Sequence, residues 1–191
     1  MRLSSPDIKN IKKRETTFVK NFTSIFKVGN TGESVEYDIQ PTSEVSTAEN
    51  KYDFNFISKH VDECSNVIWT KQPDKGFNAV WQVRHVHIDE PFFFTLFDFF
   101  KKTFKYIPEV RDGVDLFLSF VTGTGDAHID VEDVFLIGLL GKTIYRDYKT
   151  NKDYQIEKGD LLFVPKGRKH RAISLTPRIV ASVGFYGGNN E

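Results

Sequence analysis

The segment Gly159-Asp-Leu-Leu-Phe-Val-Pro-Lys-Gly-Arg-Lys-His170 constrains this chain more than any other. Residues 161–164 form a short apolar run, which is typical of a buried strand. Pro165 and Gly167 follow at once and predict a tight turn that ends this strand. His170 then begins the next predicted strand. Because such a turn fixes the direction of one imidazole, His170 is a candidate metal ligand.

Short strands separated by turn residues dominate the second half of the chain. We predict strands at 114–121, 127–131, 134–140, 142–148, 161–164, 170–174 and 179–186. Seven short strands with regular turns are typical of an antiparallel sandwich or barrel. The sequence therefore predicts a mainly β fold.

The first half of the chain has a mixed pattern. Residues 17–28 carry phenylalanines at spacing four, which fits either a helical face or a pair of strands. Residues 52–56 alternate between aromatic and polar side chains and predict a half-buried strand. Further strands are predicted at 66–70 and 78–88.

A phenylalanine-rich segment opens at Pro91, a residue that is well tolerated in the first turn of a helix. Five of its apolar side chains fall on one helical stripe: Phe93, Leu96, Phe97, Phe100 and Phe104. We predict a helix over 91–104 that packs across a sheet. A phenylalanine-lined ligand pocket is the alternative.

Candidate partners for His170 stand at His128 and Asp130. Residues i and i+2 of a strand point to the same face, so this imidazole and this carboxylate can share one space. Two histidines and one carboxylate are a ligand set that suits a non-haem Fe(II) centre with open coordination positions.

Two other His-x-Asp pairs compete with this assignment. His60-Val-Asp62 is expected at the surface. His85-Val-His87-Ile-Asp89 could present three side chains on one strand face. At roughly 3.3 Å per residue, however, its three side chains would span about 13 Å, which is too far for one ion without a bend. We expect these histidines to be structural or to face a substrate.

The turn and its histidine resemble the cupin superfamily. The second cupin motif, G-x5-P-x-G-x2-H, is matched by Gly159, Pro165, Gly167 and His170, while Ser174 replaces its usual closing Asn. The first cupin motif is matched only in part, because His-x-Asp replaces His-x-His and its later Glu is missing. This departure resembles the JmjC-type branch, whose members are Fe(II)- and 2-oxoglutarate-dependent oxygenases.

Within that branch the chain resembles the bacterial ribosomal-protein hydroxylases over roughly residues 91–186. Those enzymes carry His-x-Asp followed by Asp-Val-Phe, as at residues 133–135 here, and Ser-Val-Gly-Phe after the last histidine, as at 182–185. They also carry further domains for dimerisation and substrate capture. The resemblance therefore leaves the primary substrate and a homodimer open.

The resemblance implies a single domain over 1–191, with a double-stranded β-helix (a cupin or jelly-roll barrel) at about 114–186 and a few supporting helices. It implies an enzyme that hydroxylates a substrate, such as a protein side chain, with O2 and 2-oxoglutarate as co-substrates. His128, Asp130 and His170 would hold Fe(II) and carry the catalysis.

The far carboxylate of 2-oxoglutarate is usually held by a basic residue at a position that Thr143 occupies here. A buried carboxylate needs a cation or several donors. Lys142 stands beside this position, and Thr143 and Tyr145 share one strand face. Ser119 and Ser182 are further candidates to bind the co-substrate.

Two rivals belong to other classes: a cupin enzyme that uses the metal without 2-oxoglutarate, and a non-catalytic binding module.

Composition narrows the classes of partner that the chain can be expected to bind. Basic and acidic residues balance at 26 each, which gives no general case for nucleic acid or a membrane surface. Cys64 is the only cysteine, and we find no signal peptide or membrane span. A reducing, cytoplasmic location is expected.

Overall fold

The computed structural model of the chain describes residues 1, 3–22, 67–70, 80–88, 90–119, 123–124 and 126–187. The helices of this part are α1 (Ser5–Lys12) and α2 (Pro91–Phe104). Its strands are β1 (Thr17–Val19), β2 (Val67–Thr70), β3 (Val80–Val83), β4 (Gly113–Ser119), β5 (Gly123–Thr124), β6 (His128–Ile129), β7 (Asp133–Leu140), β8 (Thr143–Asp147), β9 (Lys152–Ile156), β10 (Leu161–Val164), β11 (Lys169–Ser174) and β12 (Arg178–Phe185).

The strands form two antiparallel sheets. A seven-stranded sheet has the order β1-β10-β7-β12-β4-β3-β2. The second sheet has the order β5-β11-β8-β9, and β6 also pairs with β11. From β7 onward the chain passes repeatedly between the two sheets, which is the connectivity of a jelly-roll barrel. The predicted mainly β fold with a double-stranded β-helix is confirmed.

The seven strands predicted in the second half all appear, and the short β5 and the longer β9 are added to them. The sequence hid β9 because most of its side chains are exposed and polar, so it lacks the apolar alternation of a buried strand. It forms a hairpin with β8, and Asn151 adopts a positive φ of 53° in the turn. Asn is one of the residues that tolerate this conformation.

The predicted strands of the first half are confirmed in part. The strand predicted at 66–70 is β2, and residues 17–19 form a strand rather than a helix. The strand predicted at 78–88 ends at Val83 and is therefore too long. His85 has a φ of 57°, and its N–H donates to Asp115 Oδ1 at 2.9 Å, which turns the chain away from the sheet. The strand predicted at 52–56 lies outside the described residues.

Helix α2 covers one face of the seven-stranded sheet, as predicted. Phe93, Leu96, Phe100 and Phe104 are buried against that face. Phe97 was predicted on the same stripe but is only partly buried, while Phe99 is buried. The ring centroids of Phe100 and Phe135 lie 4.1 Å apart and are stacked. The phenylalanines of this segment therefore build a core, and the helix holds the sheet from behind.

The other face of the large sheet meets the second sheet across a smaller core. Its apolar members are Val134, Leu136, Tyr145, Ile156, Leu162, Val164 and Val180. Several buried polar side chains lie in strands of the two sheets, including Ser119, Thr143 and Arg178. The space between the two sheets is therefore where polar chemistry is concentrated. No helix in the described ranges is long and apolar enough to cross a membrane.

Candidate metal centre

His128, Asp130 and His170 come together in space. Each offers one ligand atom, and these atoms all lie within 4.8 Å of one another. His128 Nε2 lies 3.5 Å from Asp130 Oδ1, and His170 Nε2 lies 3.5 Å from Asp130 Oδ2. The carboxylate therefore lies between two imidazole nitrogens, as expected for three ligands that converge on one ion.

Strand pairing brings the three residues together. His128 in β6 lies directly opposite His170 in β11. Asp130 follows β6 immediately, and its carbonyl accepts a hydrogen bond from Gly167 N–H at 3.0 Å. The turn that precedes His170 is thus bonded to the backbone of another proposed ligand, so one loop geometry positions both side chains.

Hydrogen bonds fix the orientation of both imidazoles. His128 Nδ1 lies 2.9 Å from the Asp126 carbonyl, and His170 Nδ1 lies 3.0 Å from the Arg168 carbonyl. A carbonyl can only accept, so each Nδ1 carries the proton in the neutral ring. Each Nε2 then presents a lone pair toward Asp130, which is the arrangement that metal-ligating histidines use.

The exposure of the three side chains differs. The His128 side chain is 52% exposed, whereas that of His170 is 6% exposed. Burial lowers the pKa of His170, although the Arg168 carbonyl and the Asp130 charge act in the opposite direction. His170 is therefore held in the neutral form that can ligate a metal, at the closed side of the centre, while His128 lines its open side.

The rival histidines do not assemble a centre. Because β3 ends at Val83, His85 and His87 do not share a strand face. His87 Nδ1 accepts a hydrogen bond from Val114 N–H at 3.2 Å, and its ring lies 4.9 Å from that of Phe97. Within the described residues, the group around Asp130 is the only one with metal-ligand spacing. Asp89 and the pair His60–Asp62 lie outside them.

The side chains predicted to bind 2-oxoglutarate fall into two groups. Thr143 and Tyr145 are buried and point between the sheets, as do Ser119 and Ser182. Lys142 instead reaches the surface, where its ammonium lies 3.5 Å from Glu157 and the side chain is 52% exposed. A cation that is paired outside the barrel does not neutralise a carboxylate inside it, so Lys142 is poorly placed for the role of anchor.

The buried cation in this space is Arg178, which the sequence analysis missed. Its side chain lies at the start of β12 and the residue is 4% exposed. The guanidinium donates to Ser119 Oγ at 3.3 Å, to Thr143 Oγ1 at 3.1 Å and to the Tyr145 hydroxyl at 3.5 Å. Three predicted residues therefore surround a guanidinium that was not predicted.

Arg178 has unused capacity for hydrogen bonds. Its bonds use Nε and Nη1, and Nη2 has no partner in the part of the chain that the structure describes. The same residues offer no carboxylate within ion-pair distance of it. A buried guanidinium among neutral hydroxyls is costly unless an anion joins it. The site is thus suited to a carboxylate or a similar anion.

Tyr145 connects this cation with the metal ligands. Its ring centroid lies 6.3 Å from that of His170, and its hydroxyl meets Arg178. Burial raises the pKa of Tyr145 above its usual value, so the phenol stays protonated and can donate. An elongated anion could therefore lie along this ring, with one end at Arg178 and the other near His170.

A sequence signal for Arg178 existed but was weak. The predicted strand began at 179, one residue too late, so the arginine lay outside it. In the structure β12 begins at Arg178, and every residue of this strand is buried. Alternation then puts Arg178 on the same face as Ser182, a residue already considered as an anchor.

Comparisons with solved structures identify the fold. No known protein family and no curated protein matches the sequence. The chain is similar to the structure of YcfD, a ribosomal oxygenase from Escherichia coli, with a TM-score of 0.57 and 20% identity over 100% of this chain and 53% of that one.

A second structure of YcfD, in complex with cobalt and 2-oxoglutarate, gives a TM-score of 0.57 and 18% identity over 100% of this chain and 53% of that one. This chain thus spans about half of the length of those proteins. At such identities the likeness establishes the fold. It confirms the predicted double-stranded β-helix fold.

Proposed function

We propose that this chain is an oxygenase that uses Fe(II) and 2-oxoglutarate to hydroxylate a further substrate. The observation that carries the proposal is the buried guanidinium of Arg178, unpaired by any described carboxylate and separated from His170 by one tyrosine ring. A metal-only cupin enzyme would have no need for this cation. A co-substrate with two carboxylates accounts for both ends of the site, the cation at Arg178 and the proposed metal ligands beside His170.

The donor set fits Fe(II). Two neutral imidazoles and one carboxylate leave further coordination positions open, which redox chemistry with oxygen requires. When bound, Fe(II) and 2-oxoglutarate together supply oxygen activation, and the oxidative decarboxylation of the co-substrate provides two electrons. The task of His128, Asp130 and His170 is to hold the metal in one orientation.

The polar residues behind the centre would bind and orient the co-substrate. Arg178 can turn its free Nη2 toward a carboxylate, and a charge-assisted bond of this kind is among the strongest that a protein makes. Thr143 and Ser119 hold the guanidinium in place because their hydroxyl oxygens accept hydrogen bonds from two of its N–H groups. Tyr145 remains protonated and can donate its hydroxyl hydrogen to the same carboxylate.

Access to the centre is asymmetric. The side chain of His128 is 52% exposed on one side of the centre. His170 and Tyr145 are buried on the other side. A primary substrate would therefore approach from the side of His128, while the co-substrate occupies the closed side. We infer that the metal lies where these two spaces meet.

Calorimetric titration of the Mn(II)-loaded protein with 2-oxoglutarate tests the proposal. Arg178→Gln should lose at least about 30-fold in affinity, because truncation of one partner of a buried charge pair costs about 2–5 kcal/mol. Arg146→Gln is the matched control, since Arg146 lies on β8 but pairs with Asp153 at the surface. Its affinity should not change.

Metal analysis and product analysis separate the rivals. His128→Ala and His170→Ala should lose the metal while the fold survives. Full metal content in both variants would contradict the assignment, and an absence of metal in the wild type would favour a binding module. If the wild-type protein binds metal but neither binds 2-oxoglutarate nor forms succinate, a cupin enzyme that uses the metal alone becomes the better account.

A further inference from the structure

A strongly basic surface pocket lies next to the turn that carries His170. It is a concavity of about 460 Å³, and its charged and aromatic lining consists of Arg14, Tyr148, Lys149, Lys166, Arg168 and Lys169. Three separate parts of the chain contribute: the segment after α1, the turn between β8 and β9, and the turn between β10 and β11. We refer to these six residues as the basic pocket.

The two arginines of the basic pocket are already engaged. Arg14 pairs with the buried carboxylate of Asp133. Arg168 lies 3.3 Å from Asp147 Oδ2 and donates to the Arg14 carbonyl at 3.4 Å. These pairs are structural, since they join the N-terminal segment to the two turns. The arginines therefore shape the pocket but have little capacity left for a carboxylate ligand.

The three lysines have no carboxylate partner within ion-pair distance among the described residues. Lys149, Lys166 and Lys169 are exposed and leave their ammonium groups available. The ammonium of Lys169 lies 5.6 Å from the ring centroid of Tyr148, whose side chain is 42% exposed. A partly exposed aromatic ring thus lies beside a lysine ammonium in this pocket.

The basic character continues into α1. Lys9, Lys12 and Lys13 line a neighbouring concavity of about 450 Å³, and Arg14 of the basic pocket follows Lys13 directly in the chain. The whole chain has no net charge. A local cluster of positive charge can attract anions even when the total charge is zero.

We propose that the basic pocket binds single-stranded nucleic acid. Lysine ammonium groups bind phosphates as point charges, whereas carboxylates are recognised best by free arginine forks, which the pocket does not offer. An exposed tyrosine among cations is the combination that stacks a base while the backbone follows the charges. The pocket volume is large enough for more than a bare ion.

The basic pocket lies beside the candidate metal centre and shares a turn with it. The Arg168 carbonyl orients His170, and Gly167 N–H bonds to the Asp130 carbonyl. A nucleic-acid strand bound in the basic pocket would contact the same turn that positions two proposed metal ligands. It would thereby lie next to the centre, although nucleic-acid binding itself does not depend on the proposed oxygenase activity.

Fluorescence anisotropy with labelled single-stranded RNA and DNA oligonucleotides tests this proposal on the whole chain. Lys166→Gln/Lys169→Gln should weaken binding about tenfold and reduce the slope of log K against log salt by about 1.4, since single strands release about 0.7 counterion per neutralised phosphate. The matched control is Lys142→Gln/Lys158→Gln, which removes the same charge at the opposite end of β8 and should bind like the wild type.

Tyr148→Ala should also weaken binding, by about fivefold or more, whereas Tyr148→Phe should retain it because the ring still stacks. The proposal is overturned if the wild type binds no oligonucleotide at low salt, or if the control double variant loses as much affinity as the pocket variant. It is equally overturned if polyglutamate binds as tightly as the oligonucleotides and is released by the same substitutions, since the partner would then be an acidic polypeptide.

Discussion

The two faces of the seven-stranded sheet use the same strands for opposite purposes. On β12, Ile179, Ala181, Val183 and Phe185 belong to the large apolar core beneath α2. The alternate residues of the same strand include Arg178 and Ser182, which face the second sheet. One strand therefore stabilises the fold with every second residue and serves the candidate site with the others.

The difference lies in the kind of free energy that each face contributes. Behind the sheet, Phe135 packs against Phe100 at 4.1 Å and against Phe163 at 4.8 Å between ring centroids, and Tyr106 stacks on Phe185 at 4.2 Å. Burial of such rings is strongly favourable. The inner face instead buries a guanidinium and hydroxyls, which cost desolvation free energy. The apolar face beneath α2 stabilises the fold, and the candidate site on the inner face depends on that stability.

The largest effect is expected where the packing face is damaged. Phe100→Ala should lower the free energy of unfolding by about 3–5 kcal/mol, because it removes a fully buried ring and leaves a cavity. Urea denaturation of the metal-free protein measures this loss. Metal affinity of the remaining folded protein should be unchanged, and a parallel loss of metal would show that the two faces are not independent.

Backbone strain at the turn should produce a smaller but more selective effect. Gly167 has a φ of 79°, and a Cβ there would meet no atom within 4 Å, so Gly167→Val should act mainly through backbone strain. The cost should be about 1–3 kcal/mol, with weaker metal binding because His170 and the Asp130 carbonyl shift.

Gly159→Val is the control for this strain, since Gly159 has a φ of 89° at the opposite end of β10. Because Gly159 is buried, this variant should destabilise the protein at least as much and yet leave metal affinity intact. Gly167→Asn should be milder than valine, because Asn tolerates positive φ. Equal losses of metal affinity in both valine variants would indicate a general effect of destabilisation.

Substitution of a buried residue usually lowers the free energy of unfolding, but removal of the buried cation should not. Without a bound anion, Arg178→Met should leave the free energy of unfolding unchanged or raise it by about 1 kcal/mol, since a desolvated charge is replaced by an apolar side chain. The same variant should lose 2-oxoglutarate binding. A destabilisation as large as that of Phe100→Ala would mean that the guanidinium is a structural support and would falsify the contrast between the faces.

The smallest effects should distinguish two neighbouring residues at the start of β8. Thr143→Val removes an acceptor of Arg178 and should weaken 2-oxoglutarate binding about fivefold, the equivalent of about 1 kcal/mol for one hydrogen bond. Lys142→Ala should not change it, because Lys142 points to the surface. Titration calorimetry decides, and a stronger effect at Lys142 would restore the anchor that the sequence suggested.

The sequence predicted features that depend on local spacing. The turn at Pro165 and Gly167 and the i, i+2 relation of His128 and Asp130 follow from short-range geometry. Helix α2 was predicted with its exact bounds, since the apolar period and Pro91 agree. These features need no knowledge of how distant strands pair.

Other features could not be predicted because they depend on strand pairing. Arg178 becomes meaningful only when β12 pairs with β4, which brings it opposite Ser119. The basic pocket combines Arg14 with Lys149 and Lys166, which are far apart in the chain. The total charge of zero also gives no sign of this local cluster of basic side chains. The chemistry of each side chain can be read from the sequence, but strand pairing decides which of these side chains meet.

The edge strand β1 has a consequence for the order of folding. It pairs with β10, and beside it Lys20 bonds to Asp160 and Thr16 to Asp147, across sequence separations of 140 and 131 residues. Contacts of such high sequence separation form slowly, because the loop must close before any contact compensates for it. During synthesis the first strand must therefore wait until residue 164 has emerged, and we expect it to dock last and to open first in native-state hydrogen exchange.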